Sequence, residues 1–235
     1  MILLGLACLS GGDDESSAPV DTVPDTITYP DSNRILIYDG HGGEPGDSVG
    51  NGGTDVAEAY WNSLGYEAER RDNLGEPDKF RMLVLMDSGV REPFAFQDAD
   101  LDKITGAMKT GTRVVVLTSP ENCDGVTLNP LLEKLGVGMR LTGENAPTTI
   151  ITDAVSGDQM TAGVSEVYLG FPCLLEPNGS TVLLIDDRDS FAARERPLYA
   201  GDVVVIGDYG WMDDTDSLGD GDNRLFLERL AEIEE

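Results

Sequence analysis

Arg113-Val114-Val115-Val116-Leu117 runs into Thr118-Ser119-Pro120-Glu121-Asn122-Cys123, and the reading of this junction decides the fold. Three successive β-branched valines favour extended backbone, and the absence of any polar alternation predicts a strand buried on both faces. Such a strand needs a helical layer on each side. Helical apolar spacing flanks it on both sides: Asp98 to Lys109, stopped by Gly111, and Leu128 to Leu135, ending at Gly136.

Working outward, the same alternation continues. Arg34 to Tyr38 reads as a buried strand. Asp55 to Leu64 reads as a helix with Thr54 as its N-cap and Gly65 as its stop. Tyr66 to Arg70 and Arg81 to Met86 read as strands. Later strands are expected at Thr148 to Ile151, Thr181 to Ile185 and Asp202 to Ile206, with a closing helix from about Asn223. Strands alternating with helices imply right-handed crossovers, so the expected architecture is α/β: a three-layer, doubly wound, mostly parallel sheet.

The 235 residues suit one such domain, expected over residues 34–235. Residues 9–33, rich in Gly, Asp, Ser, Thr and Pro, read as a flexible acidic tether. Residues 1–8, Met1-Ile-Leu-Leu-Gly-Leu-Ala-Cys8, resemble the end of a bacterial lipoprotein signal peptide, which implies lipidation at Cys8. No Lys or Arg precedes the apolar stretch, and Gly5 stands where an aliphatic residue is usual. The expected location is exported, periplasmic or at the outer membrane or cell surface, anchored to the membrane through a lipid on Cys8. Cys123 and Cys173 then remain as an even pair in an oxidising compartment, and both are expected at the same sheet end, so a disulfide is open to them.

Sixteen basic residues against 44 acidic ones give a formal charge of −28. That surface repels phosphate backbones and excludes nucleic acid as a partner. An envelope glycan or protein partner stays open.

From Arg34 onward the chain resembles the class I glutamine amidotransferase-like superfamily in its non-catalytic, flavodoxin-like branches. The resemblance lies in the first strand with its Gly-rich turn, Gly65-Tyr66-Glu67, Arg81-Met-Leu-Val-Leu85, Thr110-Gly111-Thr112 with Val114-Val-Val-Leu117, and the ending Asp202-Val-Val-Val-Ile-Gly-Asp208 with Asn223-Arg-Leu-Phe-Leu-Glu-Arg-Leu230. Catalytic members carry a cysteine nucleophile on an elbow after the strand matching Val114–Leu117 and a histidine near Gly207-Asp208; neither is present here. Pro120 has no N–H to help form an oxyanion hole for Ser119. The single histidine, His41, lies on the loop of the first strand, so the family's acyl chemistry is not expected.

Asp39-Gly-His-Gly-Gly43 is also similar to a metal-binding string of metal-dependent protein phosphatases, and Asp222-Asn223 to a later motif of theirs; those enzymes are antiparallel β-sandwiches. Caspase-like peptidases likewise place His-Gly after a strand, but here two more strands and two helices precede Cys123. The competing reading is a Gly-rich loop whose Asp39 and His41 bond its own backbone.

Ligands of doubly wound sheets bind beyond the C-terminal strand ends. There stand Asp39 and His41, Asp87 and Ser88, Ser119 and Glu121, and Asp208 and Trp211, the candidate ligand-binding set. Carboxylates with a Trp suit sugar hydroxyls; carboxylates with one His suit a divalent cation, the one cofactor left open. The alternative is that Asp and Ser here cap helices. The expected function is a non-catalytic ligand-binding or scaffold domain of the cell envelope. The enzyme alternative is a metal- or carboxylate-dependent hydrolase acting on a glycan at this sheet edge.

Overall fold

The computed structural model describes residues 30, 32–38, 55–86, 96–155, 157–197, 201–212 and 215–232. Among these, eleven strands form one sheet with the path β2-β1-β3-β4-β11-β10-β9-β6-β7, and β8 and β5 branch from β10. The strands are β1 Arg34–Tyr38, β2 Glu67–Arg71, β3 Met82–Met86, β4 Arg113–Leu117, β5 Arg140–Asn145, β6 Ile150–Ala154, β7 Glu166–Leu169, β8 Cys173–Glu176, β9 Thr181–Asp186, β10 Asp189–Glu195 and β11 Val203–Ile206. The helices are α1 Asp55–Ser63, α2 Asp98–Lys109, α3 Leu128–Lys134, α4 Thr215–Gly219 and α5 Asn223–Ala231.

Period-two alternation sorts the parallel strands between two apolar layers. Ile35, Ile37, Val84, Val115, Leu117, Val204 and Ile206 face Ala57 and Trp61 of α1 and Phe226, Leu227 and Leu230 of α5. Leu36, Leu83, Leu85, Val114, Val116, Val203 and Val205 face Ile104 and Met108 of α2 and Leu128, Leu131 and Leu132 of α3. As the valine run predicts, β4 is buried along its whole length. The Trp61 indole N–H donates to the Leu227 carbonyl at 3.1 Å and ties α1 to α5.

The expectation of a mostly parallel, doubly wound, flavodoxin-like sheet does not hold. Four strand pairings are parallel. Six are antiparallel. The sheet is mixed: β2, β1, β3, β4 and β11 form a parallel half, and β5 to β10 form an antiparallel half inserted before β11. No α-helix lies between α3 and β11 among the described residues, so the right-handed crossovers expected there are replaced by hairpins. β9 and β10, for example, join through the two-residue turn Asp187-Arg188, with Asp187 at φ 51°.

The two ends of the parallel half are fastened differently. At the N-terminal end, Asp202 lies between two buried arginines: Arg113 Nε donates to Oδ1 at 2.9 Å, and Arg194 Nε donates to Oδ2 at 2.6 Å. Burial would raise the Asp202 carboxyl, but these two guanidiniums hold it below its usual range. Arg113 Nη1 also donates to the carbonyls of Leu230 and Glu232, satisfying the orphan acceptors at the C-terminus of α5.

Candidate functional site

At the C-terminal end of the parallel half, Ser119 follows β4 and Asp208 follows β11. Glu121 stands on a 3-10 turn, Pro120–Asn122, and is exposed. Asp39, His41, Asp87 and Ser88 lie outside the described residues, as does Cys8.

Asp208 is buried and serves its own loop. Its Oδ2 accepts from the Gly170 N–H at 2.7 Å and its Oδ1 from the Gly210 N–H at 2.8 Å. The N–H groups of Tyr209 and Trp211 also bond it. Burial pushes its carboxyl up to about 6, against the pull of these four donors. The same arrangement knits the loop after β11 to the segment between β7 and β8.

Trp211 is corrected from a ligand-holding to a core residue. Its side chain is 1% exposed and tilts against Phe226, with ring centroids 5.5 Å apart. The 3-10 turn Gly210–Met212 rolls it inward rather than toward solvent. Ser119 is likewise buried, and its hydroxyl has no hydrogen-bond partner among the described residues.

Cys123 and Cys173 form a disulfide with Cα atoms 5.1 Å apart, within the span that such a bond requires. Thr118 Oγ1 lies 3.7 Å from Cys173 Sγ, so the bridge covers the end of β4. A histidine, cysteine, aspartate or glutamate cluster able to hold a metal ion does not occur among the described residues. No helix among them is long and apolar enough to cross a membrane.

One residue of this end went unread in the sequence. Phe171 is 47% exposed, and its φ of 55° is in the left-handed region that bulky residues avoid. Its loop is clamped on every side: Gly170 N–H to Asp208, Cys173 N–H to the Gly207 carbonyl at 2.7 Å, the Pro172 carbonyl to Ala146 N–H at 2.8 Å, and the disulfide at Cys173. Gly207 leaves room for this crossing, since a Cβ there would lie 2.2 Å from the Cys173 carbonyl oxygen. The string Gly170-Phe171-Pro172, an aromatic between a flexible and a rigid residue, was the available signal.

No family model and no curated protein matches the sequence. Solved structures do share the fold. An exo-beta-1,4-mannosidase, Op5Man5, from Opitutaceae bacterium strain TAV5 is 16% identical with a TM-score of 0.56, over 87% of this chain and 36% of that one. A cold-adapted beta-galactosidase from Rahnella sp. R3 is 13% identical with a TM-score of 0.52, over 81% of this chain and 31% of that one. The chain thus spans about a third of the length of each. The amidotransferase-like, flavodoxin-like assignment is overturned by the mixed sheet and by these neighbours: the fold is shared with parts of glycoside hydrolases.

Proposed function

We propose that this domain is glycan-directed and holds a carbohydrate at the C-terminal edge of its parallel strands. The observation that carries the reading is Phe171. A half-exposed aromatic ring is kept in a strained backbone conformation by a disulfide, a buried carboxylate and two backbone bonds. Strain of this kind costs on the order of 1–3 kcal/mol and persists where its surroundings over-determine it, a pattern that clusters at binding sites. A flat apolar ring stacks well on the C–H face of a pyranose. The fold shared with parts of a mannosidase and a galactosidase supports carbohydrate as the ligand class.

Binding without cleavage is the form we favour, because Asp208 is enclosed and its oxygens are engaged by its own loop. Hydrolysis at the same edge is the second reading, favoured by the activities of the two glycosidases and by the raised Asp208 carboxyl, which suits a general acid. It requires a second carboxylate roughly 5–9.5 Å away, for which Asp39 and Asp87 are the candidates. Export and anchoring through Cys8 belong to this proposal as the means of reaching envelope glycans. Intact mass of the mature protein from its native host tests that part: retention of an unmodified Met1–Ala7 segment overturns it.

The test of function is titration of the full chain with β-1,4-manno-oligosaccharides and β-galactosides by calorimetry, with reducing-sugar release followed in parallel. Binding that is lost in Phe171→Ala without sugar release supports the binding module. Release that disappears in Asp208→Asn supports the hydrolase. Neither binding nor release overturns the glycan-directed reading.

A further inference from the structure

Pro177-Asn178-Gly179-Ser180 joins β8 to β9. The Ser180 N–H donates to the Pro177 carbonyl at 2.9 Å, and both central residues have positive φ, 47° at Asn178 and 97° at Gly179, the pattern of a type I′ turn. Such a turn selects Asn-Gly, because both residues tolerate the left-handed region. The same pair sets a carboxamide carbon next to a backbone nitrogen that no side chain shields. Both residues are exposed, and a Cβ built on Gly179 would find nothing within 4 Å. The turn is also latched to its surroundings. Asn178 Nδ2 donates to the Gly138 carbonyl at 3.1 Å, just ahead of β5. Glu195 Oε2, at the end of β10, accepts from the Gly138 N–H and from the Ser180 hydroxyl, each at 2.7 Å. A Cβ on Gly138 would lie 3.6 Å from the Asn178 Cβ and 3.7 Å from Glu195 Oε2, so the amide and the carboxylate close on the same glycine.

We propose that Asn178 is a self-modification site, converted without an enzyme to isoaspartate and aspartate, and that the conversion opens this latch. The Gly179 nitrogen gives up its proton to base and attacks Asn178 Cγ. The bond from Cγ to Nδ2 breaks, ammonia leaves, and a five-membered imide closes. Water then opens the ring. Cleavage between the Gly179 nitrogen and the Asn178 main-chain carbonyl gives isoaspartate; cleavage between that nitrogen and Cγ gives aspartate. Nothing is oxidised or reduced: one water enters and one ammonia leaves. Isoaspartate carries the main chain through Cβ and Cγ and so lengthens the turn. Either product loses the donor to the Gly138 carbonyl and sets a new carboxylate beside that oxygen and Glu195, where like charge repels. The inference does not depend on the glycan-directed reading.

The test is ageing of the folded full chain in warm, mildly alkaline buffer, followed by peptide mapping and an isoaspartate assay. Mapping separates Asn178 from Asn51-Gly52, the other Asn-Gly of the chain, which lies outside the described residues. Asn178 should convert about tenfold faster than Asn145, whose neighbour Ala146 carries a Cβ. Asn178→Asp, which mimics the aspartate product, should lower the melting temperature by about 2–4 °C. Added salt should shrink that loss, and Asn178→Asp/Glu195→Gln should recover part of it, since the glutamine oxygen still accepts from Gly138 and Ser180 without the charge. An Asn178 that converts no faster than Asn145 overturns the modification site. An Asn178→Asp variant that melts with the parent overturns the latch.

Discussion

Asn223, wholly buried at the start of α5, pairs both backbone groups of Tyr168 with its one side chain. The Tyr168 N–H donates to its Oδ1 at 2.9 Å, and its Nδ2 donates to the Tyr168 carbonyl at 3.1 Å. The amide thus stands where the next strand would be beside β7, an outer strand of the sheet. The device recurs. Asn62 of α1 does the same for Ala68 of the outer strand β2, at 2.9 and 3.1 Å. Asn129 of α3 does it for Leu141 of β5, at 2.9 and 3.2 Å. Open strand edges invite pairing with other chains, and in each of these three outer strands one edge residue is paired by a helix-borne asparagine.

Asn223→Ala should therefore leave buried strand groups without partners and lower stability by about 2–4 kcal/mol. Asn223→Asp should be no better, since a carboxylate cannot donate to the carbonyls of Tyr168 and Ser217. Urea unfolding checks both; a loss under about 0.5 kcal/mol in either would contradict the role assigned to the amide.

Removing the disulfide should cost about 4 kcal/mol by loop-closure entropy for the 50-residue separation of Cys123 and Cys173. Unfolding of the Cys123→Ala/Cys173→Ala variant measures this. The same variant should lose any glycan binding that depends on Phe171, because the loop loses its covalent clamp.

Arg113→Ala strands the buried Asp202 carboxylate with half of its compensation and uncaps α5. A loss of about 3–5 kcal/mol is expected, with Arg113→Lys intermediate because an ammonium cannot serve Asp202 and two carbonyls in the planar fork.

Asp208 gives a pH signature. Its folded carboxyl, at about 6, lies above the usual value of 3.8, so the folded state holds the proton more tightly. The associated stability is fully present below pH 3.8 and is lost as pH rises through about 6. The stability of the parent relative to Asp208→Asn should grow by up to about 3 kcal/mol between pH 7 and pH 4. A difference that is flat across this range would show that the carboxyl is not shifted upward.

Ser119→Ala should stay within about 1 kcal/mol of the parent, because the lost hydroxyl is buried with no partner among the described residues. A serine-directed acylating reagent should not label it. Stoichiometric labelling of Ser119 would overturn that.

How far the sequence could be read depended on how much burial each element carries. β4 and α2 were legible to the residue because valines on both faces, or a 3.6-residue apolar period, leave little choice. β5, Arg-Leu-Thr-Gly-Glu-Asn, was not: most of its side chains are exposed, and its pairing with β8 comes from backbone bonds that leave no apolar trace. β10 was missed for the opposite reason. Phe191 to Arg194 are all buried, and an arginine at that position reads as surface unless Asp158 and Asp202 are known to face it. The places of Asp208 and Ser119 at strand ends were legible because polar residues there end apolar runs. Trp211 misled because nothing local to Gly210-Trp211-Met212 says which way its turn rolls.

The position of β11 has a consequence for biogenesis. This strand is the last among the described residues, yet it lies between β4 and β10 at the centre of the sheet. Until residue 206 has left the ribosome, β4 offers the bare edge of Arg-Val-Val-Val-Leu, a β-branched template with no proline and no charge beyond Arg113. The asparagines that guard the finished molecule's outer strands cannot help, because the vulnerable edge during synthesis is an inner one. A nascent or C-terminally truncated chain should therefore be the aggregation-prone species, even though the completed, strongly anionic protein is well protected.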